Sequence, residues 1–242
     1  MAFNYHKKPL SHLPHNLKRQ MWRLSNRWER NKFDVLRYDG DEDYCLRPFD
    51  DLNCIFIHIP KAAGISICRA LFGNLGGGHT TIRKYELIYP KSDFDQRFKF
   101  TVVRNPWDRV VSAFYFLKEG GFGDEDPQWI DKHINSHKDF ESFVINELAS
   151  EAVQEKLHFK PQILFLQNDR GEIPVDFIGK FENLNGDLAT ISKHLGIEAN
   201  LDHNNKTQGR KDKSYRDYYN KKTRGIIKEI YQIDIKYFEY DF

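Results

Sequence analysis

The sequence predicts an α/β protein, with a central parallel sheet flanked by helices and a helical arm at its N-terminal end. Three observations predict this. Short, nearly continuous apolar runs recur as "CIFIHI", "FKFTVV" and "VDFIGKF". Strands of a parallel sheet read this way because helices cover both faces. Each run leads into a stretch with helical apolar spacing, the alternation of a βα fold. The segment before residue 51 has a different pattern, so the expected organisation is an arm over 1–50 and one domain over 51–242.

In the arm, Leu17, Met21, Leu24 and Trp28 are spaced by four, three and four, one stripe of a helix. Lys18, Arg19, Arg23, Arg27 and Arg30 occupy its other faces, and an acidic run from Asp39 to Asp43 ends the segment. The stripe is expected to pack on the main domain. The competing reading is a surface helix for an anionic membrane or a partner.

The first strand is expected near Cys54–Ile59, with a helix near Ile65–Phe72. A second strand spans about Phe98–Val103, and Pro106 opens the helix "WDRVVSAFYFLKE", where proline is tolerated. Asp139 caps a helix with the stripe Phe140, Phe143, Val144 and Leu148. A third strand covers about Val175–Phe181, and the helix after it stops at Gly196. "TRGIIKEIYQIDIKYF" reads as one late helix.

Bulk properties narrow the function. At 242 residues the chain fits one sizeable α/β domain. A net charge of +2 is too small for bulk capture of nucleic acid. Cys45, Cys54 and Cys68 are odd in number and lack CxxC spacing, which speaks for reduced thiols and against a zinc site. No apolar run reaches the ~20 residues of a membrane span. "MAFNYHKKPLSHLPHNLKRQ" lacks the apolar core of a signal peptide. The expected location is cytoplasmic, and no metal site is expected.

Ligands of parallel sheets bind beyond the C-terminal strand ends. "IHIPKAAGIS" lies at the first such end and reads as a P-loop-like strand–turn–helix. Backbone N–H groups there face whatever sits above the helix N-terminus. Gly64 permits close approach, Lys61 adds a charge and Ser66 a hydroxyl. The GxxxxGK[ST] pattern is absent, and the plainer reading is an ordinary tight turn with a solvated lysine. At the second end, "VVRNPWDRVVSAFY" places Arg104 after a strand and Ser112 about two turns into a helix, with Arg109 between. A guanidinium suits a phosphate dianion. The plainer reading is Arg104 on a carboxylate and Ser112 packed inside its helix.

Together, "FIHIPKAAGIS" and "VVRNPWDRVVSAFY" resemble the two phosphate-binding signatures of sulfotransferases that use 3′-phosphoadenosine 5′-phosphosulfate (PAPS). The resemblance is closest to the carbohydrate sulfotransferase branch and its bacterial relatives. It runs from about Ile55 to the C-terminus and includes "HFKPQILFL" and "DFIGKFENLNGDL". It implies that Lys61, Ala62, Ala63, Gly64, Ile65 and Ser66 line the 5′-phosphosulfate, and that Arg104 and Ser112 hold the 3′-phosphate. It also implies a basic C-terminal segment closing over the nucleotide. In "NNKTQGRKDKSYR" the candidates are Lys206, Arg210, Lys211, Lys213, Tyr215 and Arg216. Relatives often read PKTGGTS, with hydroxyls where this chain has Ala62 and Ile65.

The implied reaction is sulfuryl transfer to a hydroxyl, with a sugar or small metabolite as acceptor. Lys61 takes the charge of the leaving phosphate. His79, after a glycine run expected to be flexible, is the first choice of base. His158 is the second, Glu86 is a carboxylate alternative, and His58 is read as a core histidine within the first strand. Phe116, Phe122 and Trp129 are candidates for the acceptor wall, ordinary packing being the plainer reading. The rival functions are a P-loop kinase and a non-catalytic nucleotide-binding protein.

Overall fold

The computed structural model describes residues 13–39, 44–122, 125–199 and 213–242. In chain order the elements are α1 (His15–Ser25), α2 (Arg27–Tyr38), α3 (Arg47–Asp51), β1 (Cys54–Ile57), α4 (Gly64–Phe72), α5 (Ile82–Ile88), α6 (Lys91–Gln96) and β2 (Phe98–Val103). There follow α7 (Pro106–Lys118), α8 (Pro127–Ile130), α9 (Phe140–Asn146), α10 (Glu151–Gln154), α11 (Ile163–Leu166), β3 (Phe177–Lys180), α12 (Leu184–Leu195), α13 (Lys221–Ile230) and α14 (Gln232–Tyr237). The chain divides into two compact units, residues 1–103 with 163–202, and residues 104–162 with 203–242.

The first unit holds the sheet. Its three strands are parallel in the order β1-β2-β3, with Cys54 opposite Phe98 and Phe100 opposite Phe177. The strands are short because only their central residues pair. β1 stops at Ile57 and β3 covers Phe177–Lys180, both inside the expected ranges. Thr101 lies fully buried in β2, and its hydroxyl donates to the carbonyl of Ile57 at 2.7 Å. Side chains two apart share a face of a strand. Phe98, Phe100, Phe56 and His58 accordingly form a run of stacked rings 5.2–5.8 Å apart, which leads from the sheet to the loop after β1.

The arm helices form as expected, but their predicted stripe is not the packing face. Leu24 and Trp28 are 78% exposed, whereas Trp22 and Phe33 are buried. Spacing identifies a helix without saying which way it is turned. Here the larger gain comes from burying the Trp22 ring, over which the Lys84 ammonium sits at 5.2 Å while pairing with Glu29. Arg37 holds Asp50 through two bonds of 2.9 and 3.1 Å. Of the acidic run, only Asp39 lies among the described residues.

The second unit is organised by α7. Asn105 caps it by accepting from the Trp107 N–H, and Pro106 is its first residue. Trp107, Val110, Val111, Phe114 and Leu117 are buried with Phe140, Phe143, Phe159, Ile227 and Tyr231. Asp139 caps α9 in a capping box with Ser142. The late helix is divided. Tyr231 leaves helical geometry at φ −104°, ψ 24°, and its hydroxyl donates to the Phe159 carbonyl at 2.7 Å. A buried phenol needs a partner, and that bond accompanies the break between α13 and α14.

Candidate functional site

The first unit carries Lys61, Ala62, Ala63, Gly64, Ile65, Ser66 and His79; the second carries Arg104, Ser112, Lys213, Tyr215 and Arg216. Lys206, Arg210 and Lys211 lie outside the described residues.

The loop from His58 to Ala63 joins β1 to α4. Lys61 and Ala63 have φ of 66° and 63°, the left-handed region that costs a non-glycine residue roughly 1–2 kcal/mol. Left-handed residues on both sides of Ala62 turn the chain tightly, and the Ala62 N–H donates to the Ile59 carbonyl within the turn. The first N–H groups of α4 carry the positive end of its dipole. Ala62 is 1% exposed, so it shapes the turn and presents no surface. A hydroxyl at this position would be enclosed by protein.

Gly64 is required by His58. A Cβ at position 64 would lie 1.8 Å from two atoms of the His58 ring. His58 therefore sits one residue beyond β1 and packs directly beneath the start of α4. Burial, with His79 beside it, pushes the pKa of His58 well below the ordinary histidine range, which keeps the ring neutral. The two rings are 4.3 Å apart, and His79 Nδ1 lies 3.1 Å from the His58 carbonyl oxygen. A carbonyl can only accept, so Nδ1 is the protonated nitrogen, and in the neutral ring the basic lone pair is on Nε2.

The glycine run before His79 is a packed turn where flexibility was expected. A Cβ on Gly76 would meet the Cys45 carbonyl at 1.9 Å, and Gly77 has φ of 86° close to Tyr85 and Phe49. Glycine is used here because backbone approaches backbone. Glu86 accepts from Asn168 at 3.2 Å, and burial raises its pKa against that bond. The thiols of Cys54 and Cys68 are pushed up to about 12 by burial, which leaves them poor nucleophiles.

In the second unit, Arg104 is buried, and its Nε donates to Asp108 at 2.7 Å. Its peptide is clamped from both sides by Gln162: the Arg104 N–H donates to Oε1 at 2.9 Å, and Nε2 donates to the Arg104 carbonyl at 2.8 Å. Gln162 is itself held, its N–H donating to Asp234 at 2.7 Å. Ser112 is buried inside α7, and Arg109 is buried with its pKa lowered by desolvation. The plainer reading of this segment thus describes real contacts. One edge of the Arg104 fork is committed to a carboxylate four residues on, a charged hydrogen bond that fixes the guanidinium plane.

Tyr215 receives a bond from the Asn105 side chain at 3.3 Å. The Arg216 guanidinium lies 4.7 Å from the Tyr215 ring, and Lys213 and Arg216 are exposed. His158 packs on Phe116 with Glu125 3.4 Å away. Phe122 is exposed and edge-on to Phe116 at 4.9 Å, and the Lys156 ammonium covers Trp129 at 4.7 Å.

Sequence reasoning missed three supporting residues, Asp108, Gln162 and Asp234, whereas His58 was read as a core histidine and is buried. Asp108 stood inside the second signature, at helical spacing from Arg104. Gln162 stood inside "HFKPQILFL". For Asp234 the sequence held no signal beyond a carboxylate on an apolar helix, since its partner lies 72 residues away.

A profile of the Sulfotransferase family matches residues 47–241. A protein of Archaeoglobus fulgidus described as uncharacterized is 33% identical over 112 residues, covering 46% of this chain and 78% of that protein. No solved structure matches the chain.

Proposed function

Because the chain belongs to the sulfotransferase family, we propose that it transfers a sulfuryl group from PAPS to an acceptor hydroxyl, with a sugar or small metabolite as the acceptor class. The observation that supports this best is the loop after β1. It holds Lys61 and Ala63 in left-handed conformations and has no room for a side chain at position 64. It is followed by the first turn of α4, whose N–H groups lie at the positive end of the helix dipole. Strain of this kind is kept where a ligand is bound, and the donors suit an anionic group. In this reading the 5′-phosphosulfate belongs to Lys61 and the backbone of Ala63, Gly64 and Ile65, with the hydroxyl of Ser66. The 3′-phosphate belongs to Arg104 and Ser112, with Lys213, Tyr215 and Arg216 alongside.

The reaction is an in-line displacement at sulfur. The acceptor oxygen forms a bond to sulfur while the bond from sulfur to the 5′-phosphate oxygen breaks. Nε2 of His79 receives the hydroxyl proton, since its Nδ1 proton is committed to the His58 carbonyl. The leaving product, 3′,5′-bisphosphoadenosine, gains charge on its 5′-phosphate, and Lys61 neutralises it. Positioning and charge stabilisation carry such a step, and general base catalysis adds roughly 10²–10⁴-fold.

The test is a set of three variants assayed for transfer from labelled PAPS to an acceptor panel and for binding of 3′,5′-bisphosphoadenosine. His79→Ala is expected to keep binding and to lower turnover by roughly 10²-fold or more. Arg104→Ala is expected to weaken binding, and Lys61→Ala to lower turnover and binding together. Full turnover in His79→Ala would remove His79 as the base. Absence of transfer to any acceptor, with no binding of the bisphosphate, would remove the proposal.

A further inference from the structure

The arm helices present to solvent the side chains that an amphipathic helix normally hides. Leu17, Met21 and Leu24 on α1 and Trp28, Val35 and Tyr38 on α2 are 42–78% exposed, and they are six of the nine exposed large apolar side chains among the described residues. Trp28, Val35 and Tyr38 fall on one face of α2 by spacing, and Lys32 is exposed on that face, its ammonium 6.0 Å from the Trp28 ring. Arg27 is exposed at the start of α2. Scattered apolar residues on a surface need no account, but a concentration on two consecutive helices marks a contact surface.

Charge selects the occupant. The first 28 residues contain six lysines and arginines and neither aspartate nor glutamate, although the whole chain is only +2. The remainder is therefore net acidic, and Arg27 and Lys32 are exposed beside these apolar side chains, with Arg23 partly exposed, while Lys18 pairs with Asp169 and Arg19 donates to the Ile88 carbonyl. A second copy of the chain would bring the same basic face against itself, and like charges oppose an isologous contact of that kind. An anionic bilayer meets both features: leucine, methionine and tryptophan enter the acyl boundary while lysine and arginine meet the headgroups. α1 has 11 residues, about 16 Å of helix, and no helix among the described residues is long and apolar enough to cross a membrane. The geometry points to α1 and α2 as a docking surface that lies in the plane of an anionic lipid bilayer.

The test is flotation of the full chain with vesicles of phosphatidylcholine alone and with vesicles containing about one third phosphatidylglycerol. The chain floats with the anionic vesicles and stays behind with the neutral ones. Binding falls as salt rises toward 1 M, where the screening length drops from roughly 10 Å to roughly 3 Å. Leu24→Asp with Trp28→Asp lowers the bound fraction at least roughly tenfold, and so does Arg23→Glu with Arg27→Glu. Both pairs keep the thermal midpoint, which shows that the loss is not unfolding. Absence of flotation with anionic vesicles overturns the assignment, as does undiminished binding by the Leu24/Trp28 pair. A concentration-dependent dimer abolished by that pair, without vesicle binding, overturns it in favour of a second copy.

Discussion

At position 64 a glycine and a histidine ring occupy what would otherwise be one volume. Gly64→Ala must push the His58 ring aside, because its new Cβ would stand 1.8 Å from that ring. Overpacking of this kind costs about 1–3 kcal/mol, and the displaced ring disturbs the contact with His79. The expected outcome is a lower melting temperature and weaker nucleotide binding. Gly64→Ala with His58→Ala should recover part of both, giving a non-additive double-mutant cycle; additive effects would show that the clash is not the cause. His58 also predicts a pH response. Its pKa is lower in the folded state than the unfolded value near 6.5, so below that pH the unfolded chain binds the additional proton. The contribution is complete above about pH 6.5 and is lost as pH falls, by up to about 1.4 kcal/mol per pH unit until the folded-state pKa is reached. Urea titrations of wild type and His58→Leu between pH 7 and pH 5 check this. The wild-type slope should be steeper, and parallel slopes would mean that His58 is not buried neutral.

At the level of elements, the junction of β2 and α7 is held from the chain's distant parts. Gln162 clamps the Arg104 peptide and Asp234 clamps Gln162, while Asn105 caps α7 and binds Tyr215 and the Asp241 carbonyl. Gln162→Leu leaves buried backbone groups of Arg104 unpaired, which costs about 1–3 kcal/mol each. The expected result is a clear loss of stability in chemical denaturation, together with weaker nucleotide binding. Retained stability would show that water or a neighbour replaces the amide. This junction also shows what the sequence could disclose. The ends of β2, the Pro106 start, the Asp139 cap and the Gly196 stop are local signals, and they were legible, whereas β1 and β3 are shorter than their apolar runs. The loop after β1 and the Arg104 segment were legible as well, because each is one contiguous motif. The arm's orientation was not, since periodicity defines a stripe and the choice between the Trp22 face and the Leu24 face rests on contacts with α5. Asp234 was hidden for a related reason: its partner is remote in sequence.

For the whole molecule, the chain's two units each hold one set of anion-suited residues: the loop before α4 and His79 in one, Arg104, Ser112 and Tyr215 in the other. Assigning one set to each end of the donor predicts that their variants fail differently. Arg104→Ala should reduce the preference for nucleotides with a 3′-phosphate over those without it, while Lys61→Ala should reduce affinity for the 5′ end and leave that preference standing. Competition binding with 3′,5′-bisphosphoadenosine and 5′-AMP reads this directly. Loss of the preference in both variants would mean that the two sets do not act on separate ends. The central claim is that the nucleotide is a 3′-phosphorylated adenosine. Its most direct measurement is calorimetric titration of the wild-type chain with 3′,5′-bisphosphoadenosine, 5′-AMP and MgATP. Tighter binding of the bisphosphate by at least about tenfold, roughly 1.4 kcal/mol, is the predicted result. MgATP binding as tightly or more tightly would contradict it.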